Sequence, residues 1–535
     1  MERIGLLPPA RCPGAMTKLK VLPWAVAAVL SSVFFCQGLA ASLEHSLTWD
    51  EPSFISAGYA CLTQGEFRFN SSHPPLLQAI EAAPLLAMDL RVPRQPYQYW
   101  AATGNAVVAF GRAFLFDSGN DVVRIAFWSR LPILLLGALL VVAVYAWGRR
   151  LYGPWPALLG ASLCALCPNL IGHAGVATED LGCSALMLAS AWTFWLAYRD
   201  GSPWRWARCG AVTGLALISK YTALVLLPAF ATVALVCIVR GHRLRSRREW
   251  ALGLLVLGAT AFAVIGVAYG PRLGWPPYLR GLGSIYSDLQ GDYQHYFAGS
   301  FSSEARWYFT VTAFVLKVSG GALLLLLWAC VTAIRSDKED ALFLLVPAAA
   351  VVVASFFDTT NLGLRRILPC FPFLFLFASR ILAVHQMKRG AVTAALLLVA
   401  WVGIETVRIF PDHLSYFSAL AGGPEVGPYW LDDSNVDWGQ DLPALARWQR
   451  RTPGADQLRL AYFGTARPSA YAVRAQNIES PLELVDPAPG LYAISAHVLV
   501  RLRQFIPQVG PKVDWLTRYQ PLARAGHSIY IYRIP

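Results

Sequence analysis

Two carboxylates stand side by side in Thr48-Trp49-Asp50-Glu51-Pro52, ahead of a proline suited to the first turn of a helix. A second acidic pair, Glu179-Asp180, follows Thr178. Acids at a helix start either cap it and sit in the favourable end of its dipole, or serve as general bases. Cations accompany them. Lys220 stands in Ile218-Ser219-Lys220-Tyr221-Thr222, Arg365-Arg366 in the stretch from Asn361 to Pro369, and Lys317 inside an apolar run. The arginines can be read as snorkelling side chains, whereas a lysine within a membrane segment marks a functional site by default. Acids and cations at one level would suit transfer from a lipid-linked phosphate. The cations steady the leaving group and a carboxylate takes the proton of an attacking hydroxyl.

The elements that must position these residues are helices in a bilayer. The chain is 56% hydrophobic and 14% charged, with a mean hydropathy of +0.45, whereas soluble domains are about a quarter charged. Apolar runs of about 20 residues, enough to cross about 30 Å of hydrocarbon, predict spans at 21–42, 126–147, 155–173, 181–198, 209–219, 222–239, 250–269, 307–333, 341–357, 367–384 and 390–410. The fold class expected is an all-α polytopic membrane protein of about eleven transmembrane helices, with a small α/β domain after them. The first span, preceded by Lys18 and Lys20, reads as a retained signal anchor.

A net charge of +13 invites a nucleic-acid reading, which its distribution excludes. Basic residues cluster at Arg149-Arg150, at Arg199 with Arg205 and Arg208, across 240–248, at Arg335 with Lys338, and at Lys388-Arg389. With a cytoplasmic N-terminus all of these fall in cytoplasmic loops, and the long segments 43–125, 270–305 and 411–535 fall outside. The first is expected to hold two interfacial helices, over 51–64 and 74–88. Pro74 and Pro75 fit a helix start there, with His73 or Ser72 as its cap. The second, rich in Gly, Tyr and Pro, reads as a mobile substrate loop. The tail shows a helix around 442–451 and β-like runs at 458–463, 490–494 and 528–532, making 1–410 a transmembrane domain and 411–535 an extracytoplasmic one. Its aspartates (Asp432, Asp433, Asp437, Asp441) lack the glycine and final glutamate of a calcium loop. They read instead as part of a lid on the outer loops.

The ordered set resembles a known group. Asp50-Glu51, Gly58-Tyr59, His73-Pro74-Pro75-Leu76, Thr178-Glu179-Asp180, Lys220, Lys317, Gly363-Leu364-Arg365, Ser415-Tyr416-Phe417 and the run from Asp433 to Asp441 resemble the GT-C superfamily of membrane glycosyltransferases. The likeness is to its polyprenyl-phosphate-dependent branch, which holds protein O-mannosyltransferases and aminoarabinose transferases. The resemblance covers about 400 residues. It implies an inverting transfer of a sugar from a polyprenyl-phosphate donor to a hydroxyl acceptor (protein, lipid A or envelope glycan) at the outer face of a bacterial inner membrane. By the same resemblance Asp50 is the base, with Glu51 beside it, and Asp180 orients acceptor or sugar. Lys220 and Arg365 bind the donor phosphate, with Arg366 an equal candidate for the arginine and Lys317 a further cation. His73, Glu179 and Tyr59 contact substrate, His73 alternatively serving only as the helix cap. Relatives differ over metal: the protein-mannosylating members use none, and oligosaccharyltransferases use a divalent ion. Asp50, Glu51, Glu179 and Asp180 would supply its ligands.

The rival reading is a multi-pass lipid or glycolipid transporter. That class shows internal repeats and broken helices meeting at mid-membrane. This chain has no visible repeat, and its polar candidates, Lys317 apart, gather at one face.

Overall fold

The computed structural model describes residues 13–94, 106–240, 246–270, 274–288, 293–334, 339–505 and 515–535. The basic cluster at Arg335 with Lys338, and part of that across 240–248, lie outside them. Among the described residues six helices are long and apolar enough to cross a membrane: Val21–Glu44, Val122–Tyr152, Glu179–Asp200, Tyr221–Val239, Arg247–Ala268 and Arg389–Ile409. Two more pass only as bent pairs. Ala157–Ala165 with Pro168–Ala174 bends by 58°, and Trp307–Lys317 with Gly320–Ala333 by 114°. Pro168 explains the first, because the residue before a proline leaves the helical region. At the second the chain turns through Val318 in extended conformation (φ −98°, ψ 132°), so 307–333 is not the one straight span expected. The drawn spans 209–219, 341–357 and 367–384 fall on the shorter helices Pro203–Leu217, Leu342–Ser355 and Cys370–Ala378. The longest of these rises about 22 Å, short of a full crossing.

The two helices expected in 43–125 are present. Numbering the first helix, Pro13–Glu44, as α1, they are α2 (Glu51–Gln64) and α3 (Pro75–Ala82), the latter continuing as a 3-10 turn over Ala83–Ala87. They cross so tightly that a Cβ on Gly58 would lie 2.0 Å from the Gln78 carbonyl oxygen, which leaves room for no side chain there. Segment 270–305, read as a mobile loop, contains the helix Pro276–Asp288 and a hairpin of β1 (His295–Phe297) and β2 (Ser300–Ser302). Residues 271–273 and 289–292 of it lie outside the described ones.

In the tail, the helix Leu442–Arg451 precedes a five-stranded sheet of β3 (Leu458–Ala461), β4 (Ala475–Asn477), β5 (Gly490–Ser495), β6 (Ala523–Ala525) and β7 (Ile529–Ile534), in the order β4-β3-β5-β7-β6. The three β-like runs of the sequence lie on β3, β5 and β7. β4, β3 and β5 run parallel, while β5, β7 and β6 are antiparallel neighbours. The motif ahead of the helix Leu442–Arg451 is bound by backbone to the turn after α1. The N–H of Ser46 donates to the Gln440 carbonyl at 2.9 Å and that of Trp49 to the Trp438 carbonyl at 2.8 Å.

One ion pair fixes the turn between α1 and α2. Glu51, 0% exposed, accepts from Arg130 Nε (2.7 Å) and Nη2 (2.8 Å), from the Thr48 N–H (2.7 Å) and from the Ala177 N–H (2.8 Å). Arg130, 1% exposed, donates its remaining bonds to the carbonyls of Ser42, His45 and Ser46. Removing one partner of such a pair strands the other charge in a dry interior, at a cost of about 3–5 kcal/mol. Glu51→Ala and Arg130→Ala should each lower the thermal unfolding midpoint of the detergent-purified protein sharply. The double substitution should cost less than the sum of the two. Midpoints unchanged in either single variant would remove the pair from its role as anchor.

Candidate active site

Asp50 is the residue before the first turn of α2, yet its side chain makes no capping bond. It reaches Arg365 instead, at 2.5 Å from Nη1, and is 25% exposed while Arg365 is 12% exposed. The guanidinium lies 4.7 Å above the ring of Trp438, an attractive placement over a π face. Burial alone would lower the Arg365 pKa. Asp50, then Asp180 and Asp433, outweigh that and push it up. Its Nε is buried and has no hydrogen-bond partner among the described residues, so one donor of a fixed cation remains free for an anion.

The loop carrying Arg365 is held by the tail motif. Asn435 accepts from the Leu364 N–H through Oδ1 (3.1 Å) and donates to the Asp432 carbonyl through Nδ2 (3.0 Å). Ser434 Oγ donates to the Leu362 carbonyl at 2.6 Å. Gly363, at φ 109°, lies so close that a Cβ there would meet the Asn435 amide at 2.2 Å. Both steric reasons call for glycine.

The second acidic pair also turns from capping to pairing, since Thr178 makes no side-chain cap. Lys220 Nζ donates to Asp180 Oδ1 at 2.5 Å, with Asp180 almost wholly buried. His73 Nδ1 meets Glu179 Oε2 at 2.8 Å, and Gln78 Nε2 donates to Glu179 Oε1 at 3.3 Å. The residue preceding α3 is Pro74 and no side chain caps that helix, so His73 is a partner of Glu179 rather than a cap. The four acids Asp50, Glu51, Glu179 and Asp180 thus each bind a cationic or imidazole side chain, and they form no cluster of metal-ligand spacing among the described residues.

Arg365 and Arg366 diverge. Arg366 turns to Asp358, Nε to Oδ2 at 3.1 Å, and donates to Thr360 Oγ1 at 3.1 Å. With Lys220 and His73 it lines a cavity of about 290 Å³ whose wall is apolar, formed by Leu224, Val225, Leu282, Ile285, Val351 and Phe357 among others. A larger groove of about 700 Å³ opens against residues that flank Asp50 in sequence. Trp49, Pro52 and Ser53 form one wall of it, and Tyr462, Thr465 and Asn477 of the tail the other.

Two sequence candidates sit apart from these cavities. Lys317, 2% exposed, donates to the Leu414 carbonyl at 3.0 Å and to that of Asn435, and its ammonium lies 4.8 Å from the Phe417 ring centre. It fastens the tail to the bend in its own span and lines neither of these cavities. Tyr59 is stacked on Phe114 at 5.0 Å within an aromatic core and lines neither cavity. Glu51, one of the three acids expected to act on substrate, has its carboxylate filled by the four donors described above.

Sequence reasoning missed Arg130 and Glu81. An arginine within the span drawn at 126–147 was the available signal for the first. Glu81 is 0% exposed and neither carboxyl oxygen has a hydrogen-bond partner among the described residues. No pattern marked it, since an acid on a short amphipathic helix is usually solvated.

With the geometry in hand, residues 106–265 match the family model of dolichyl-phosphate-mannose-protein mannosyltransferases. The oligosaccharyltransferase of Archaeoglobus fulgidus, in its apo form, shares the fold, with a TM-score of 0.52 at 11% identity over 94% of this chain and 73% of that one. ArnT from Cupriavidus metallidurans bound to undecaprenyl phosphate aligns at 15% identity over 96% of this chain and 98% of that one, with a TM-score of 0.49. No curated protein matches the sequence. The resemblance to GT-C polyprenyl-phosphate-dependent membrane glycosyltransferases therefore rests on a family match over one segment and a shared fold.

Burial, then Glu179, Glu51 and Asp180, push the Glu81 carboxyl well above its ordinary value of 4.5. The folded protein thus keeps a proton that the unfolded chain has lost. This contribution to stability is complete below the unfolded pKa and disappears as pH rises toward the folded one. Wild type should therefore lose stability relative to Glu81→Gln as pH rises above the ordinary carboxyl range, read as thermal midpoints of the two proteins. Parallel pH profiles would show that Glu81 is not held neutral.

Proposed function

We propose that this protein is an inverting glycosyltransferase that moves a sugar from a polyprenyl-phosphate donor to a hydroxyl acceptor. The observation that carries the reading is the apolar-walled cavity whose polar end holds Lys220, Arg366 and His73, beside the Asp50–Arg365 pair. A long isoprenoid wants an apolar wall, and its phosphate wants fixed cations at the end of that wall. The match to a dolichyl-phosphate-mannose-dependent family over 106–265 and the solved ArnT structure bound to undecaprenyl phosphate agree with that chemistry. In the proposed topology the N-terminus is cytoplasmic, and the site and tail face the outside of a bacterial inner membrane.

Asp50 takes the proton of the acceptor hydroxyl, whose oxygen attacks the anomeric carbon from the side facing the larger groove. The bond from that carbon to the phosphate oxygen breaks, its electron pair stays on the phosphate, and polyprenyl phosphate leaves. A single displacement inverts the anomeric configuration. Lys220 and Arg366 hold the leaving phosphate. Arg365 pairs with Asp50 until an anionic donor competes for its guanidinium, which frees the carboxylate to act as base. Asp180 orients Lys220, and Glu51 acts through the backbone as a positioning residue.

The test uses full-length protein in nanodiscs and a panel of radiolabelled polyprenyl-phosphate sugars. Asp50→Asn should bind the donor that wild type uses and lose about 10²–10⁴-fold in release of polyprenyl phosphate. Lys220→Ala and Arg366→Ala should weaken donor binding by about tenfold or more, the loss of a charge-assisted hydrogen bond. Undiminished turnover by Asp50→Asn would sink the base assignment. No donor bound by wild type across the panel would sink the transferase reading.

A further inference from the structure

Asp50, Glu51, Glu179 and Asp180 each have a lysine, arginine or imidazole partner, whereas a second carboxylate pair has no lysine or arginine among the described residues. Asp412 follows the helix Arg389–Ile409, and Asp441 directly precedes Leu442–Arg451. Among the described residues neither forms an ion pair with lysine or arginine. Asp412 meets only imidazoles, His45 Nε2 at 3.2 Å from Oδ1 and His527 Nε2 at 3.7 Å from Oδ2. Asp441, 1% exposed, accepts from the N–H groups of His527 (3.1 Å) and Ser528 (2.9 Å) through Oδ2. Its Oδ1 is buried without a hydrogen-bond partner among the described residues. One ligand atom each from His45, Asp412 and Asp441 lies within 4.8 Å of the other two.

We infer that His45, Asp412 and Asp441, with His527 as the fourth arm, form a structural site for a divalent transition ion, zinc by its ligand chemistry. A buried and a half-buried carboxylate within 4.8 Å of each other call for positive charge, and the buried Asp441 Oδ1, without a hydrogen-bond partner among the described residues, is an acceptor such an ion would take. Calcium and magnesium prefer oxygen alone, whereas mixed imidazole and carboxylate donors suit zinc. With bonds of about 2.0–2.2 Å, tetrahedral zinc holds its ligand atoms about 3.4 Å apart. The His45–Asp412 pair already has that spacing, and the Asp441 arm has only to draw in.

The four residues come from four places: the end of α1, the end of the last long helix, the tail motif and the turn between β6 and β7. An ion there would clip the tail sheet to the bundle five residues before Asp50. It is separate from the acids beside Asp50, and the inference does not depend on the transferase reading.

The experiment is zinc content and thermal stability of the full-length protein, stripped with EDTA, dialysed and titrated with zinc or magnesium. Wild type should retain about one zinc per chain, lose stability on stripping and recover it with zinc but not magnesium. Asp441→Asn and His45→Gln should bind zinc at least about tenfold more weakly, while Asp50→Asn keeps it. Three outcomes overturn the inference: no stoichiometric zinc in wild type, zinc with no effect on its midpoint, or zinc lost by Asp50→Asn and kept by Asp441→Asn. The wild-type titration decides the matter even if the cluster variants fail to fold.

Discussion

A carboxylate without water must be saturated by donors, and in this protein that demand on Glu51 organises the site. Its donors come from the helix Val122–Tyr152, from the turn after α1 and from Ala177. Arg130 in turn collects the carbonyls at the end of α1. Ala177 lies two residues before Glu179, so the same carboxylate that fixes the Asp50 turn also fixes the start of Glu179–Asp200. The two acidic pairs, 128 residues apart in sequence, converge because one buried charge is shared between their backbones.

The tail motif has an equivalent role on the cationic side. Its backbone pairs with 46–49 while Asn435 and Ser434 grip the loop of Arg365. Trp438 then lies beneath the guanidinium, and Lys317 ties the same motif to the bent span. Two of its aspartates are held within the tail itself. Asp432 pairs with Arg501 at 2.6 Å, and Asp437 accepts from the N–H groups of Gly439 and His497. A segment expected to be a lid is therefore a strut joining the two loops that carry Asp50 and Arg365.

The residue types of the site were legible in the sequence, and the division of labour within each adjacent pair was not. Successive side chains on a helix point about 100° apart, so neighbours seldom serve one site. Asp50 faces open space while Glu51 is enclosed, Asp180 takes Lys220 while Glu179 takes His73, and Arg365 faces Asp50 while Arg366 lines the apolar-walled cavity. The helices of 43–125 and the strands of the tail were visible as hydrophobic periodicity. The bend at Lys317 was not, because an apolar run reads the same straight or broken, and the carbonyls of Leu414 and Asn435 that hold that lysine lie about a hundred residues away. Glu81 escaped for a related reason. Its burial depends on the crossing of α2 and α3, set by the missing Cβ of Gly58 rather than by any property of residue 81.

The tail sheet also bears on selectivity. Trp49 stacks on Phe463 at 4.8 Å, and Thr465 Oγ1 donates to the Trp49 carbonyl at 2.8 Å, so the wall opposite Trp49, Pro52 and Ser53 in the larger groove is built largely from the loop after β3 and from β4. On the proposed reaction, donor and acceptor enter by different cavities with different walls. The donor cavity is lined by the helices of the bundle, Lys220 to Val225 lying in the segment that matches a known family and Arg366 beyond it, while most of the acceptor groove is lined by the tail. Donor chemistry would then be set by the bundle. Acceptor choice would rest on a sheet edge whose residues can change without disturbing Lys220, Arg366 or the Glu51–Arg130 anchor. Such a separation would let one transfer chemistry serve different acceptors, because the ion pairs that hold Lys220, Arg366 and Glu51 include no residue of the tail sheet.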